Sequence, residues 1–200
     1  MLKLMIASNN RGKIREFQSL LTMPELELVT PASIGLELEA AETGSSYAEN
    51  AAIKARAFWE ACGLLTLADD SGLEVDALDG APGLHSARFV QRAGANDADR
   101  REKLLDALQG KTRPWRARFR CVAALVGLAG EINWAEGICE GEIIPIQRGD
   151  NGFGYDPIFL LPEIGKTMAE LSLDEKNHLS HRARAAQAAI PLIEKYLSKI

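Results

Sequence analysis

Apolar and polar positions follow two rhythms along the chain. Residues 2–7 (Leu2, Lys3, Leu4, Met5, Ile6, Ala7) are almost all apolar and predict a short buried strand. A polar turn over residues 8–12 follows, after which Ile14, Phe17, Leu20 and Leu21 recur on one helical face over residues 13–21. Strand, polar turn and helix open an α/β unit. Residues 26–30 predict a second strand. The clearest helix is 46–62, with Ala48, Ala51, Ala52, Ala55, Phe58, Trp59 and Cys62 in one stripe. Ser45 or Ser46 caps it, Glu49 stands where a capping box wants an acid, and Gly63 ends it. Asn50 and Lys54, four apart, share a different face.

Residues 64–68 predict another buried strand running into Asp69-Asp70-Ser71-Gly72, and residues 73–78 resume strand-like spacing before a turn at Asp79-Gly80. A charged helix is expected over 96–108, with Leu104, Leu105 and Leu108 facing inward, and a long strand over 116–128. One or two more strands fit residues 132–146, and a last one fits 156–161. From residue 167 the pattern reads as short helices leading to a longer one from Ser180, which Pro191 should bend or interrupt. Strands and helices mixed in this order, with long strands after residue 110, predict an α/β fold on a mixed sheet.

Composition narrows the class. Apolar residues at 46 % and charged residues at 26 % allow a real core in a chain of one-domain length. A net charge of −5 argues against general affinity for nucleic acid, whose binding rests on phosphate neutralisation, but leaves room for a local basic cluster around a small anion. Cys62, Cys121 and Cys139 are far apart, and their odd number fits free thiols in a reducing, cytoplasmic compartment. The longest uncharged apolar run, 121–130, is too short to span a membrane.

Five stretches carry candidate chemistry. Ser8, Asn9, Asn10, Arg11, Gly12 and Lys13 lie between a strand and a helix start, where free amides, side-chain donors and an ammonium favour an anion. Ala7 and Ile14 stand where a Walker A loop needs Gly and Ser or Thr, so this is not one. Glu42-Thr43-Gly44 precedes the helix with Glu49, Asn50 and Lys54, so a carboxylate, an amide and an ammonium can converge there. Asp69 and Asp70 offer hard oxygen ligands suited to magnesium, and on an extended chain only one of two neighbours faces a given site. Residues 149–157 hold three glycines that permit close backbone approach, and Phe153 offers a stacking face for a base. Lys176, His181 and Arg182 flank a helix start at Ser180, where an anionic or carbonyl-bearing ligand would relieve the cations. His85 and His178 read as structural or surface residues. Taken alone, each stretch also fits a plain structural role: a capped turn, a capping box, a polar turn, a glycine-rich hairpin, a capped surface helix.

Their order and wording together are more specific. The chain resembles the inosine triphosphate pyrophosphatase family, in its bacterial dITP/XTP pyrophosphatase form, from Met1 to about Ala189. The matching stretches are Ser8-Asn9-Asn10 with Lys13, Glu42-Thr43-Gly44, Glu49-Asn50-Ala51 with Lys54-Ala55, and Ala68-Asp69-Asp70-Ser71-Gly72-Leu73. Further on come Gly80-Ala81-Pro82-Gly83, Ser86-Ala87-Arg88, Gly152-Phe153-Gly154-Tyr155-Asp156-Pro157, Gly165-Lys166-Thr167, Ala169-Glu170-Leu171, Glu175-Lys176-Asn177 and Ser180-His181-Arg182. Some relatives carry two acids before the Thr-Gly pair; here Ala41 leaves only Glu42.

The resemblance implies an elongated mixed sheet flanked by helices, one domain of two lobes with the active site in the cleft between them, and a homodimer. It implies hydrolysis of inosine, deoxyinosine and xanthosine triphosphates to monophosphate and pyrophosphate. The cofactor expected is magnesium, with manganese as a substitute, held by Asp70 with either Glu42 or Asp69, and Asp70 is the general base. Ser8 to Lys13 and Lys54 are expected at the phosphates, and Ser71, Gly154, Tyr155 and Asp156 are expected to bind the substrate. Phe153 is expected to stack on the base, with Lys176, His181 and Arg182 as cationic donors aimed at the position-6 oxygen that adenine lacks. A non-catalytic nucleotide sensor on the same fold, or a pyrophosphatase with another base preference, is the alternative.

Overall fold

The computed structural model describes residues 1–198. Seven strands form one sheet in the order β2-β1-β3-β4-β5-β6-β7. They are β1 (Leu2–Ile6), β2 (Leu26–Val29), β3 (Leu65–Val75), β4 (Trp115–Val126), β5 (Ile132–Ile143), β6 (Phe159–Leu161) and β7 (Lys166–Thr167). β1 runs parallel to β2 and β3, whereas β6 is antiparallel to β5 and β7, so the sheet is mixed, as the pattern predicts. The helices are α1 (Arg11–Leu20), α2 (Tyr47–Cys62), α3 (Asp97–Leu108), α4 (Leu173–Leu179) and α5 (His181–Leu197). Among the described residues, no helix is long and apolar enough to cross a membrane.

The chain divides into two compact units. The first comprises Met1–Asp70, Cys121–Gly137 and the stretch from His181 onward. Its strand residues alternate between two cores, as a pleat demands. Leu4, Ile6, Leu65, Leu67, Ala123 and Leu125 pack with Phe17 and Leu21 from and after α1 and with Ala186, Ala189 and Ile193 of α5. Met5, Ala7, Ala68, Ala124 and Val126 pack with Ala51, Ala55 and Phe58 of α2. Ser46 caps α2 by accepting from the Glu49 amide, and Gly63 closes it at a φ of +67°. The second unit comprises Ser71–Arg120 and Ile138–Ser180. There Leu73, Val75, Phe119, Cys139, Ile143 and Phe159 pack with Leu104 and Leu108 of α3 and with Met168 and Leu171.

Two expectations change. The strand expected over 64–68 does not stop at Asp69-Asp70-Ser71-Gly72, because β3 passes through the motif without a break. β1 pairs with the start of β3, up to Leu67, and β4 is the neighbour on the other side, so the motif continues a strand already placed in the sheet. Of the two outcomes expected at Pro191, a bend or an interruption, the interruption does not occur: the helix runs on to Leu197. Ala186 and Ala189 before it and Ile193 and Tyr196 after it all belong to one core, and that burial offsets the backbone bond the proline removes.

Gly137 on β5 marks how closely strand and helix approach. A Cβ there would lie 2.1 Å from the His181 carbonyl oxygen and 2.4 Å from the Ala185 nitrogen, both backbone atoms of α5. Gly137→Ala is therefore expected to lower stability by at least about 1–3 kcal/mol, the ordinary cost of overpacking. Urea denaturation measures this, and an unchanged midpoint would show that α5 can move off the strand freely.

Candidate active site

The site begins with the alternation of β3. Leu65 and Leu67 face α1 and α5, and Asp69 continues that row. Thr66 and Ala68 precede Asp70 on the opposite row, toward α2. The two carboxylates therefore belong to different surroundings. Asp69, 1 % exposed, accepts from Nε and Nη2 of Arg182 at 3.4 and 3.3 Å and pairs with the Lys13 ammonium at 2.9 Å. The Cys121 thiol lies 3.7 Å from it. Arg182 also donates through Nη1 to Glu16 of α1. Burial opposes the Asp69 charge, but Lys13, Arg182 and Lys54 overcome it and hold its pKa far below the usual carboxylate range. Burial likewise opposes the Arg182 charge, and Glu16 and Asp69 more than offset it. Burial and the neighbouring Asp69 charge push the Cys121 thiol up, so it is not a thiolate.

Asp70 sits differently. Its Oδ2 accepts from Asn50 Nδ2 at 3.0 Å, and burial raises its pKa, with the Asn50 bond and the charges of Lys13 and Lys54 only partly offsetting this. Asn50 is itself buried and accepts the Gly44 amide on its Oδ1 at 2.8 Å. One amide thus links the strand acid to the Glu42-Thr43-Gly44 segment. Gly44 must be glycine for this, since a Cβ would stand 2.6 Å from Glu49 Cβ and 2.8 Å from Asn50 Oδ1. Lys54 pairs with Glu42 at 2.6 Å and donates to the Asp69 carbonyl at 3.1 Å. Burial lowers the Lys54 pKa, yet the charges of Asp69, Glu42 and Asp70 leave it raised, so the ammonium persists.

The loop before α1 is more occupied than its sequence suggests. Asn10 caps the helix, its Oδ1 accepting the Gly12 and Lys13 amides at 2.8 and 3.1 Å. Those two groups are not open to an anion without displacing the cap. The Ser8 hydroxyl accepts the Asn10 amide, exposed Asn9 donates to the Leu38 carbonyl at 2.9 Å, and Arg11 is exposed. What remains on offer is charge, from Lys13, and short polar side chains.

In the second unit, Asp156 organises the glycine-rich segment. Its Oδ2 accepts the Phe153 amide at 2.9 Å and the Lys176 ammonium at 2.7 Å, and that ammonium lies 5.2 Å from the Phe153 ring centroid. Gly152 is required beside it, at a φ of +76° and with a Cβ position only 2.1 Å from Asp156 Oδ2. The Tyr155 hydroxyl is buried and donates to the Ser86 carbonyl, and burial raises its pKa, so it serves the fold rather than offering a hydroxyl to a ligand. Ser71 is half-buried on β3, His181 is buried at the first position of α5, and His85 and His178 are exposed.

The structure thus brings Asp69, Lys13 and Arg182 together, gathers Glu42, Asn50, Lys54 and Asp70 around α2, and joins Phe153, Asp156 and Lys176. Several candidates are already engaged by other side chains. Asp69, one of two candidates to join Asp70 at a metal, is surrounded by the cations Lys13 and Arg182, and Glu42, the other, pairs with Lys54. Arg182, expected at the base, directs three nitrogens to Asp69 and Glu16. Glu16 went unnoticed in the sequence; the available signal was an acid three residues after Lys13 and four before Leu20, beside an apolar stripe.

A model of the Ham1 family matches residues 4–192. A dITP/XTP pyrophosphatase of Desulforamulus reducens is 45 % identical over 195 residues, which cover 97 % of this chain and 96 % of that protein. One from Methylococcus capsulatus is 50 % identical over 187 residues, 92 % of each. The solved structure of a HAM1 protein from Coxiella burnetii is 40 % identical with a TM-score of 0.87, covering 98 % of this chain and all of that one. That of a nucleoside-triphosphatase / dITP/XTP pyrophosphatase from Mycobacterium abscessus is 42 % identical with a TM-score of 0.73, covering 95 % of this chain and all of that one.

Arg182→Met should leave Glu16 and Asp69 buried with too little positive charge. Breaking a buried ion pair from one side costs about 3–5 kcal/mol, read as a lowered urea midpoint. Adding Glu16→Gln should recover part of that loss, because it removes one of the stranded charges. A double variant less stable than Arg182→Met would contradict this account of the cluster.

Proposed function

The chain belongs to the Ham1 family, and on that premise we propose that it is a nucleoside triphosphate pyrophosphatase that removes deaminated purine nucleotides. Its substrates are inosine, deoxyinosine and xanthosine triphosphates, and its products are the nucleoside monophosphate and pyrophosphate. The observation that carries this reading is the division between the neighbouring acids. Asp69 is neutralised by buried cations, whereas Asp70 is held by a neutral amide and has a raised pKa.

Lys13 and Lys54 attract the triphosphate, with Ser8, Asn9 and Asn10 as short polar neighbours. Asp70 orients a water and accepts its proton. The water oxygen bonds to the α-phosphorus, and the bond from that phosphorus to the α–β bridging oxygen breaks, so that pyrophosphate leaves with the bond electrons. The donor set suits magnesium: Asp70 and Glu42 are hard oxygen ligands, and this ion takes one or two protein carboxylates and completes its shell with substrate phosphates and water. When bound, the ion supplies charge neutralisation at the phosphates.

Phe153 stacks on the base. Lys176 and His181 supply donors toward the position-6 oxygen of hypoxanthine or xanthine, where adenine presents an amino group. A buried donor left without an acceptor is what rejects adenine. The homodimer implied by the resemblance belongs to the same proposal.

Inosine triphosphate should yield inosine monophosphate and pyrophosphate in equal amounts, with loss of turnover in excess chelator. Stepwise release of orthophosphate, followed by phosphate and pyrophosphate assays side by side, would overturn the reaction. Asp70→Asn keeps the shape and removes the base, so kcat should fall by about 10²–10⁴-fold, while calorimetry still detects substrate binding through Lys13 and Lys54. Lys13→Met should reduce kcat/KM for inosine and adenosine triphosphates alike, since both present the same phosphates. A change in their ratio would show that Lys13 reads the base.

A further inference from the structure

The segment from Gln147 to Pro157 carries Phe153 yet forms no regular structure before a single 3-10 turn at Asp156–Ile158. Three of its glycines adopt positive φ: Gly149, Gly152 and Gly154. A stretch of this kind is held in one shape only by what grips it, because glycine gives up more conformational freedom than any other residue.

The grip on the residue after Phe153 comes from α3. The Gly154 amide donates to Asp97 Oδ2 at 2.8 Å, and the Gly154 carbonyl accepts from Arg101 Nη1 at 2.7 Å. Asp97 and Arg101 stand four apart on one face of the helix, at its first turn and the next. Arg101 reaches a second point of the same segment, its Nε donating to Gln147 Oε1 at 2.8 Å. Asp97 is itself held by Arg100 through its other oxygen. Both polar groups of Gly154 are thus engaged by ionised side chains, the stronger class of hydrogen bond. A Cβ at Gly154 would meet nothing within 4 Å, so packing does not fix this position; its φ of +64° and the two bonds do. On the other side of the ring, the Phe153 amide is held by Asp156. The ring therefore stands between two anchored peptide groups, one of them anchored by α3. Neither Asp97 nor Arg101 lies in a stretch that carries the family resemblance.

We propose that Asp97 and Arg101 are positioning residues for Phe153, and that by holding Gly154 they preset the aromatic face on which the purine base stacks. This rests on the reading of Phe153 as the base platform. Without the clamp the segment samples other shapes, and affinity for the base falls by the fraction of molecules with the ring in place. Affinity for the phosphates does not.

The test titrates inosine monophosphate and, separately, pyrophosphate into the full-length protein with magnesium, by calorimetry, for the wild type, Asp97→Ala, Arg101→Met, Arg101→Lys and Phe153→Ala. Phe153→Ala should weaken the monophosphate about tenfold, the scale of one lost base–aromatic stack. Asp97→Ala and Arg101→Met should weaken it by several-fold to about tenfold, leave pyrophosphate within about twofold, and raise KM for inosine triphosphate more than they lower kcat. Arg101→Lys should recover part of the loss, because it restores a cation to the Gly154 carbonyl. Thermal unfolding is followed in parallel, and Asp97→Asn, which keeps the side-chain shape, replaces Asp97→Ala if that variant does not fold. Monophosphate binding unchanged in folded clamp variants, beside a weakened Phe153→Ala, overturns the clamp alone. Equal losses for monophosphate and pyrophosphate overturn it too, because they would report a general loosening. Monophosphate binding unchanged in Phe153→Ala overturns the base platform, and the clamp with it.

Discussion

The Asp69 carboxylate is buried in β3 with Arg182 and Lys13 against it, and much of the first unit is arranged around that neutralisation. An ionised group so far from water is tolerated only with opposite charge and hydrogen bonds in place. Arg182 comes from the first turn of α5, Lys13 and Glu16 from α1, and Asp69 from the sheet between them in sequence. Four charged side chains therefore tie two helices to one strand, on the same face that Leu65, Leu67, Phe17 and Ile193 fill with apolar contact. Apolar packing brings these elements together, and the ion cluster dictates which way they must be turned. Residual imbalance would leave a buried charge unpaired, so the cluster tolerates few alternatives.

Because Asp69 faces that cluster, the pleat turns Asp70 to the other side, toward Asn50 of α2. The same two-residue period that sorts the apolar strand residues between two cores sends the two acids to opposite sides. One acid is spent on holding the fold. The other keeps a raised pKa, because burial outweighs the Asn50 bond and the charges of Lys13 and Lys54. Asn50 then sets the relation of this acid to the Glu42 segment through the Gly44 amide, a link that needs glycine at position 44. Lys54 joins the same group from one turn further along α2, bonded to Glu42 and to the Asp69 carbonyl. These charged groups thus stand on a strand and on α1 and α2, rigid elements that hold charges at fixed separations.

The glycine-rich segment solves the opposite problem. It has the freedom to come close to a ligand but no ladder to hold it, so side chains from Asp156 and from α3 bond its backbone directly. The Lys176 ammonium, paired with Asp156 and close to the Phe153 ring, places a positive charge beside an aromatic face within this unit. That combination suits a flat ligand edged with carbonyl oxygens.

Much of this was legible in the residues alone. Periodicity located most strands and helices because burial on one face imposes a period of two or 3.6 wherever the core is apolar, and the cap at Ser46 and the stop at Gly63 follow from local chemistry. The motifs 8–13, 42–44, 69–72 and 149–157 announced themselves by residue types that ordinary cores and surfaces do not need in those orders. Other features became visible only in three dimensions. The pattern around Asp69-Asp70-Ser71-Gly72 has the local character of a turn, yet β3 runs straight through it from Leu65 to Val75. Arg182 reads as a ligand-facing cation next to His181, yet its partners Glu16 and Asp69 lie 166 and 113 positions away. Asp97 and Arg101 look like any charged helix face until Gly154 is found against them. A sequence determines which groups are costly to bury and where the chain can bend; which charge meets which, across a hundred residues, is decided by the packing that brings them together.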